Sequence, residues 1–543
     1  MFTKHSSPVR GENDQVQSIP TPTSDQPRDT IIVESAESCK FYGSSVNEAY
    51  RLKSELLARH MTEIGFGKFQ LILFAVNGLG WMCDNFWSQG ISAIRPAIAN
   101  EFKDISRLSF SSVAYYVGMI IGAFGWGTAA DLIGRKPAFN ATIFLGGIFG
   151  CIAAGTTGFV SFCVVWALIG TAAGGNVPVD SIIFLELVPQ SHQWLLVTLS
   201  GWWNMGQLIV SLLAWVFLSK YSCTAADAPC SLRKNIGWRY LMITLGAMAL
   251  AFGLIRLFVF RIPESPKFLI SKGRDAAAVE AVNYIARYNG KPETLTLEML
   301  QAIDQSLGHS SSGRQDTAEV LSGAGRLSWL TICKESFRDY KGSGYRKLFN
   351  GKQMARHTTL IWLIWLLIGV AYPLYFAFIT SYLENNSNYS ADTSFDHTYK
   401  VYCIVSGVGF VGPVAAGFGV ETRLGRRWMM AMSAALTGVF LFAYTAVKTE
   451  AANIGFQCAT AMLGNFEYAV MFAFTPESFP GPVRGTATGT AATLLRFGGL
   501  LASLASAYAG YTAVPIYLSA ALWILAGLLC VGLPYETHGH ASL

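Results

Sequence analysis

Stretches of roughly 20 predominantly apolar residues recur along nearly the whole chain, and this recurrence constrains the fold more than any other feature. A helix of that length crosses about 30 Å of hydrocarbon, and backbone groups left unpaired in lipid are too costly for an open chain to persist there. Hydrophobic residues make up 52% of the 543 positions and charged residues only 14%, so the bilayer is the expected solvent. Spans are expected near 69–92, 110–130, 138–158, 160–183, 195–219, 238–260, 357–381, 400–420, 427–447, 453–475, 487–509 and 512–533. The fold class predicted is an all-α membrane protein of about twelve transmembrane helices.

Residues 1–68 are polar, rich in Ser, Pro and charge, and are expected to form a disordered cytoplasmic segment. They contain no apolar run behind a basic start, so no cleavable signal peptide is expected, and the first span serves as the insertion signal. Arg135 and Lys136 follow the second span, Arg423, Arg426 and Arg427 the eighth, and Arg484 the tenth. The loops after the third and eleventh spans hold no Lys or Arg. The positive-inside rule therefore places both termini in the cytoplasm. The predicted order is a helix bundle over 69–260, a cytoplasmic central loop over 261–356, a second bundle over 357–533 and a cytoplasmic tail over 534–543. The central loop holds 15 Lys+Arg against 10 Asp+Glu. That excess suits a solvated linker facing lipid headgroups, with a surface helix near 275–289. Membrane lipid is thus an expected partner, and the net charge of +6 requires no nucleic acid.

The ten cysteines form no metal pattern. Cys223 and Cys230 fall in the loop after the fifth span, on the outer side, where a disulfide would persist; spacing alone leaves bridged and free forms open. Asn385 and Asn388 each begin an Asn-x-Ser sequon in the outer loop after the seventh span and are candidate glycan acceptors, whereas the sequon at Asn140 is cytoplasmic and should stay bare. These features favour the plasma membrane and remain compatible with a vacuolar or vesicular one.

Matching residues recur at one offset: Gly134 and Gly425, Arg135 and Arg426, Glu186 and Glu477, and Pro189 and Pro480 each lie 291 positions apart. Two related six-helix halves around a central pathway, rocking to give alternating access, are the physical expectation of a parallel repeat. Gly127, Asp131, Gly134, Arg135 and Lys136 fit G-x-x-x-D-x-x-G-R-K. Small residues let helices approach closely, and the charges can lock helix ends with Glu186, Glu264, Glu477, Arg426, Arg427 and Arg484. Ion pairs that form in one state and break in the other would bias the conformational equilibrium; ordinary interfacial anchoring is the alternative.

These motifs resemble the major facilitator superfamily, specifically its sugar-porter-like side, over residues 65 to 540. The resemblance is carried by Gly127–Lys136, PESPKFL at 263–269, PESFPGPVRG at 476–485 and PYETHG at 534–539. GFGKFQ at 65–70, WMCDNFW at 81–87 and GGNVPVD at 174–180 resemble the synaptic-vesicle-related branch and its fungal relatives. The resemblance implies the major facilitator fold of two pseudo-symmetric bundles, transport rather than catalysis, no cofactor and a functional monomer. Departures are informative. Thr422 stands where the second half would place the Asp, with Glu421 beside it, and Gln193 and Trp194 replace the Arg-Gly that Arg484 and Gly485 retain. An asymmetric lock follows.

Asp84, an acid within the first apolar stretch, matches the protonatable Asp of the resembling proton-coupled porters, whose Arg partner in the fourth span is replaced by Trp166. Proton coupling and an acid satisfied by Asn85 or water both stand as readings. Glu467, about 15 Å along its helix from Glu477, is a second proton or substrate candidate, with a salt bridge to Arg496 as the structural alternative. Asn176, Asp180, Asn204, Gln207 and Asn465 are polar groups that could line a pathway or hold helices together. Trp202, Trp203, Tyr372, Tyr375 and Phe466 suit an aromatic or apolar substrate if they face a cavity, and packing otherwise. The seventh span lacks the Gln-Gln pair of the resembling hexose porters, so a simple hexose is not the first expectation.

The function predicted is secondary transport of a small organic acid, aromatic compound or metabolite, with protons as candidate coupling ions. Export of a secondary metabolite and a transporter-like nutrient sensor are the alternatives. No Walker-type loop, H-E-x-x-H or clustered metal ligands occur, which argues against an ATP-driven pump and against metal catalysis.

Overall fold

The computed structural model describes residues 47–102, 108–223, 234–307, 343–385, 394–508 and 514–537, and these form twenty α-helices. Residues 1–46 lie outside the described residues.

The first half comprises α2 (Lys68–Phe102), α3 (Ser109–Ile133), α4 (Arg135–Ala153), α5 (Phe159–Ala173) continued by α6 (Asn176–Leu187), α7 (Leu195–Leu199) continued by α8 (Gly201–Tyr221), and α9 (Gly237–Leu254), which ends in a π-turn at Ile255–Val259. The second half comprises α14 (Lys352–Asn385), α15 (Phe395–Gly409) continued by α16 (Val411–Gly419), α17 (Gly425–Tyr444), α18 (Glu450–Ser478), α19 (Gly481–Tyr508) and α20 (Val514–Val531). Six membrane-crossing units per half result. Nine are long and apolar enough to cross a membrane by themselves, and α2 qualifies together with the preceding α1 (Glu48–Ile64) across a 105° bend. The more polar α18 and α19 do not meet that measure, but they turn Glu467 and Arg484 into protein, where both are fully buried.

Side-chain spacing decides which face meets lipid. On α5, Val160, Val164 and Leu168 form one exposed stripe, while Phe162, Trp166 and Ile169 face inward. The halves meet along two seams, α3 against α19 and α8 against α15. At the first, a Cβ on Gly127 would come within 2.7 Å of the Gly489 Cα, so these two backbones can approach only as glycines.

Between the halves lie α10 (Pro266–Ser271), α11 (Asp275–Tyr288), α12 (Leu297–Ser306) and α13 (Ser343–Leu348). The segment expected to be disordered contains an ordered helix, because α1 is amphipathic and buries Leu57, Met61 and Ile64. Lys53 on its polar side reaches Asp275 and Asp304 at 2.6 and 2.7 Å, tying α1 to α11 and α12. Polarity in 1–68 thus hid one face able to repay the entropy of folding.

Candidate transport pathway

The end of the bundle that carries the glycine-basic turn is closed by a buried lock. Gly134 has φ of 113° and Gly425 a φ of 70°, a left-handed region that favours glycine and lets each turn run directly into the next helix. Glu264 then accepts from the Arg135 and Lys136 amides at the start of α4, and Glu536 accepts from the Arg426 and Arg427 amides at the start of α17. A carboxylate on the first free amides of a helix satisfies donors that have no partner within it.

Across the halves, Arg484 Nη1 donates to Glu186 at 2.7 Å, and both side chains are fully buried. Asp131 accepts from the Gly485 amide at 3.2 Å, the Thr486 amide at 2.6 Å and the Thr486 hydroxyl at 2.9 Å. Arg135 donates to the Gly481 carbonyl and lies 3.4 Å from both Asp131 and Glu186. Within the second half Arg426 pairs with Glu477 at 2.8 Å. The asymmetry is physical: Thr422 caps its own turn on Gly419, Glu421 is exposed rather than substituting for an acid in the lock, and Trp194 packs on Phe418. Only the first half's Asp therefore reaches across.

Beyond the lock, Trp81 of α2 meets Phe472 of α18 edge to face at 5.5 Å, and Phe472 meets Trp365 at 4.7 Å. This aromatic layer lies at the base of a cavity of about 640 Å³ between the halves, which extends to His397 and Asn453 at the opposite end. Asp84, Asn85, Asn204, Gln207, Asn465 and Arg496 all contribute to its wall, as does Tyr372. Asp84 Oδ2 accepts from Trp203 Nε1 at 3.1 Å, and its Oδ1 is buried without a hydrogen-bond partner among the described residues. Trp166 packs on Phe162 in the first half's core and lends Asp84 nothing. The cation within electrostatic range is instead Arg496, on the other half.

Several expected pathway residues lie elsewhere. Asp180 forms a fully buried pair with Arg256 at 2.6 Å, and Asn176 bonds Gly80 and Thr142; both hold the first half together outside the cavity wall. Trp202 packs against Gly78, and its neighbour Trp203 takes the cavity position instead, because adjacent helical residues point about 100° apart. Tyr375 packs on Tyr444 rather than facing the cavity. Glu467 is fully buried and accepts from Ser433 at 2.6 Å; among the described residues it forms no ion pair with Arg496. Cys223 is disulfide-bonded, whereas Cys230, Asn388 and the Asn385 side chain lie outside the described residues.

Sequence reasoning missed Arg95, Arg256 and Glu536. Basic residues near span ends read as interfacial anchors; burial against Asp180 distinguishes Arg256 from such anchors, and a place in the cavity wall distinguishes Arg95. Among the described residues no group of three or more His, Cys, Asp or Glu side chains could hold a metal ion.

Two pseudo-symmetric helical halves, closed at one end around a central cavity, define a membrane transporter. The chain belongs to the Major Facilitator Superfamily, whose family model matches residues 71–503. It is 56% identical over 533 residues to the major facilitator-type transporter hxnZ of Emericella nidulans, covering 96% of this chain and 94% of that one. It is 39% identical over 505 residues to the MFS siderochrome iron transporter 1 of Ceriporiopsis subvermispora, covering 93% and 94%. Its fold is similar to that of the proton:xylose symporter XylE, with a TM-score of 0.65 at 18% identity, covering 87% of this chain and 98% of that one. This family and these relatives are transporters, not enzymes.

Proposed function

We propose that this protein is a secondary transporter that carries a small aromatic organic anion by alternating access, with Asp84 as its proton-coupling group. One observation carries the reading: Arg496 lines the central cavity only 5% exposed, with no hydrogen-bond partner among the described residues. A guanidinium taken out of water without a partner is costly, and a carboxylate offers it two parallel charge-assisted bonds. Tyr115, Tyr116, Tyr372, Tyr468 and Trp203 share the wall, and such faces bury a ring with little demand on its substituents. A neutral sugar would leave the guanidinium unpaired.

Charge explains the coupling. The wall holds Arg95, Arg496 and Asp84, while His397 is 2.9 Å from Glu450. An ionised Asp84 competes with the substrate carboxylate for Arg496. A protonated Asp84 leaves Arg496 free for the substrate, so proton and anion favour each other's binding and travel together. Loading then favours the state in which the lock is broken and the cavity faces the other side.

The lock faces the cytoplasm in this reading, both termini are cytoplasmic, and a monomer in the plasma membrane does the work. The basic turns at the lock end and the disulfide at Cys223 on the opposite side support that orientation.

Uptake by purified protein in sealed vesicles tests the reading, with labelled benzoate and nicotinate as probes and xylose and a quaternary ammonium ion as controls. Acid outside should drive accumulation of the acids alone. Asp84→Asn should abolish the dependence on the pH gradient while preserving exchange. Arg496→Gln should weaken binding by roughly 10- to 150-fold, the worth of about 1.5–3 kcal/mol for a bond to a charged group. Transport of the cation or the sugar in preference to the acids would overturn the proposal.

A further inference from the structure

The cavity wall contains a second guanidinium that the central site does not use. Arg95 lies on α2, eleven residues beyond Asp84, which places it about 16 Å further from the lock along the helix axis. It lines the same cavity, its Nε is sealed from solvent, and its guanidinium makes no hydrogen bond or ion pair among the described residues. Its electrostatic neighbours are the phenols of Tyr116 and Tyr402, and neither supplies a counter-charge. Tyr116 also lies within electrostatic range of Arg496, and all three side chains line the same cavity. The nearest acid along the same helix, Glu101, is paired with Arg239 at 2.7 Å, and the next, Asp84, is committed to Trp203 and faces Arg496.

We infer that Arg95, with Tyr116 and Tyr402, forms a second carboxylate-binding station in the outer part of the cavity, distinct from the central station at Arg496. The physical reason is the same at both places. An unpaired guanidinium held in a tyrosine-lined wall is stabilised by a planar anion that brings its own counter-charge. Space permits two occupants: single pockets for whole drug-sized ligands measure about 300–1,000 Å³, and this cavity measures about 640 Å³. A single-ring acid fills only part of it. The outer station would capture the anion before it moves inward past Tyr116, and closure of the outer end would seal both stations together. Pro96 follows Arg95 directly and removes a backbone donor, which makes this part of α2 a natural place for the helix to flex.

This inference rests on the aromatic-anion reading of the central site, and binding stoichiometry separates the two. Equilibrium binding of labelled benzoate to the full-length protein in lipid nanodiscs should give two sites per chain. Arg95→Gln should retain one site, Arg496→Gln should retain the other, and Arg95→Lys, which keeps the charge but loses the fork, should retain both with the outer affinity reduced about ten-fold or more. Retention of one site in each Gln variant also shows that the variant has folded. A single wild-type site lost in Arg496→Gln and untouched in Arg95→Gln would overturn the outer station and leave the central reading intact. Two sites that both survive Arg95→Gln would overturn it as well. No benzoate binding by the wild type would overturn both readings.

Discussion

Glu186 of the first half and Arg484 of the second meet at 2.7 Å in a fully buried ion pair that closes one end of the transporter. Arg135 approaches the same carboxylate at 3.4 Å, so Glu186 is shared between a partner within its own half and one across the interface. Removing one partner of a buried pair leaves an uncompensated charge, a loss of about 3–5 kcal/mol. Glu186→Gln should therefore weaken the locked state more than it weakens either bundle. Hydrogen exchange should rise at 131–136 and 481–486, and exchange in those segments equal to wild type would contradict the role given to the pair.

The lock also depends on backbone contact at a glycine. A Cβ at Gly127 would lie 2.7 Å from the Gly489 Cα and 3.0 Å from the Gly485 carbonyl oxygen, and neither neighbour has a side chain to move aside. Gly127→Ala should prise α3 from α19 and lower the population with the lock closed. Transport should fall at least about ten-fold while expression and the unfolding temperature change little, since each bundle keeps its own core. Normal transport in Gly127→Ala would show that the seam tolerates separation.

Asp180 and Arg256 form a pair of a different kind, within one half. Arg256 also donates to the carbonyls of Phe139 and Val76, so the guanidinium ties α2, α4 and α6 to the end of α9. Asp180→Asn should destabilise the first half by about 3–5 kcal/mol. The double variant Asp180→Leu with Arg256→Met should regain part of that loss in thermal unfolding, because an apolar pair leaves no buried charge unmatched. Loss of pH-driven uptake in a double variant of normal stability would instead assign the pair to coupling.

Docking of α1 should respond to pH. His60 shares a hydrogen bond with Thr294 at 2.8 Å, and burial holds its pKa below the ordinary 6.5, with Glu63 opposing the shift and Arg59 adding to it. The folded state therefore favours neutral His60. Its contribution is fully present above pH 6.5 and is lost as pH falls from there through the lower folded value. Limited proteolysis near residues 64–67 should accelerate between pH 7 and pH 5, and His60→Gln should flatten that dependence. An unchanged pH profile in His60→Gln would place the sensitivity elsewhere.

Much of the architecture was legible because a bilayer imposes a local rule. Apolar length, glycine-basic turns and the 291-residue repeat each depend on neighbours in sequence, and they announced the halves, the Gly127–Lys136 motif and Glu186 and Arg484 as lock residues without their pairing. Glu264 was also visible as part of the lock, whereas Glu536 lay in the PYETHG run at 534–539 without its capping role being evident. The central site was only partly legible. Asp84, Asn204, Asn465 and Arg496 reach the cavity, but Asp180 and Asn176 are polar at comparable depth and hold helices together instead.

By itself the sequence determined that this chain lives in a membrane, that it has two related halves, and which charged turns could close one end. Those properties follow from hydrophobic length and repetition along one dimension. Only the tertiary structure decided which charges are paired. It placed Arg256 on Asp180, Ser433 on Glu467 and Trp203 on Asp84, and it left Arg496 and Arg95 facing a cavity without partners among the described residues. Pairing depends on the rotation of each helix and on contacts between residues hundreds of positions apart, whereas the hydrophobic signal fixes only where a helix crosses.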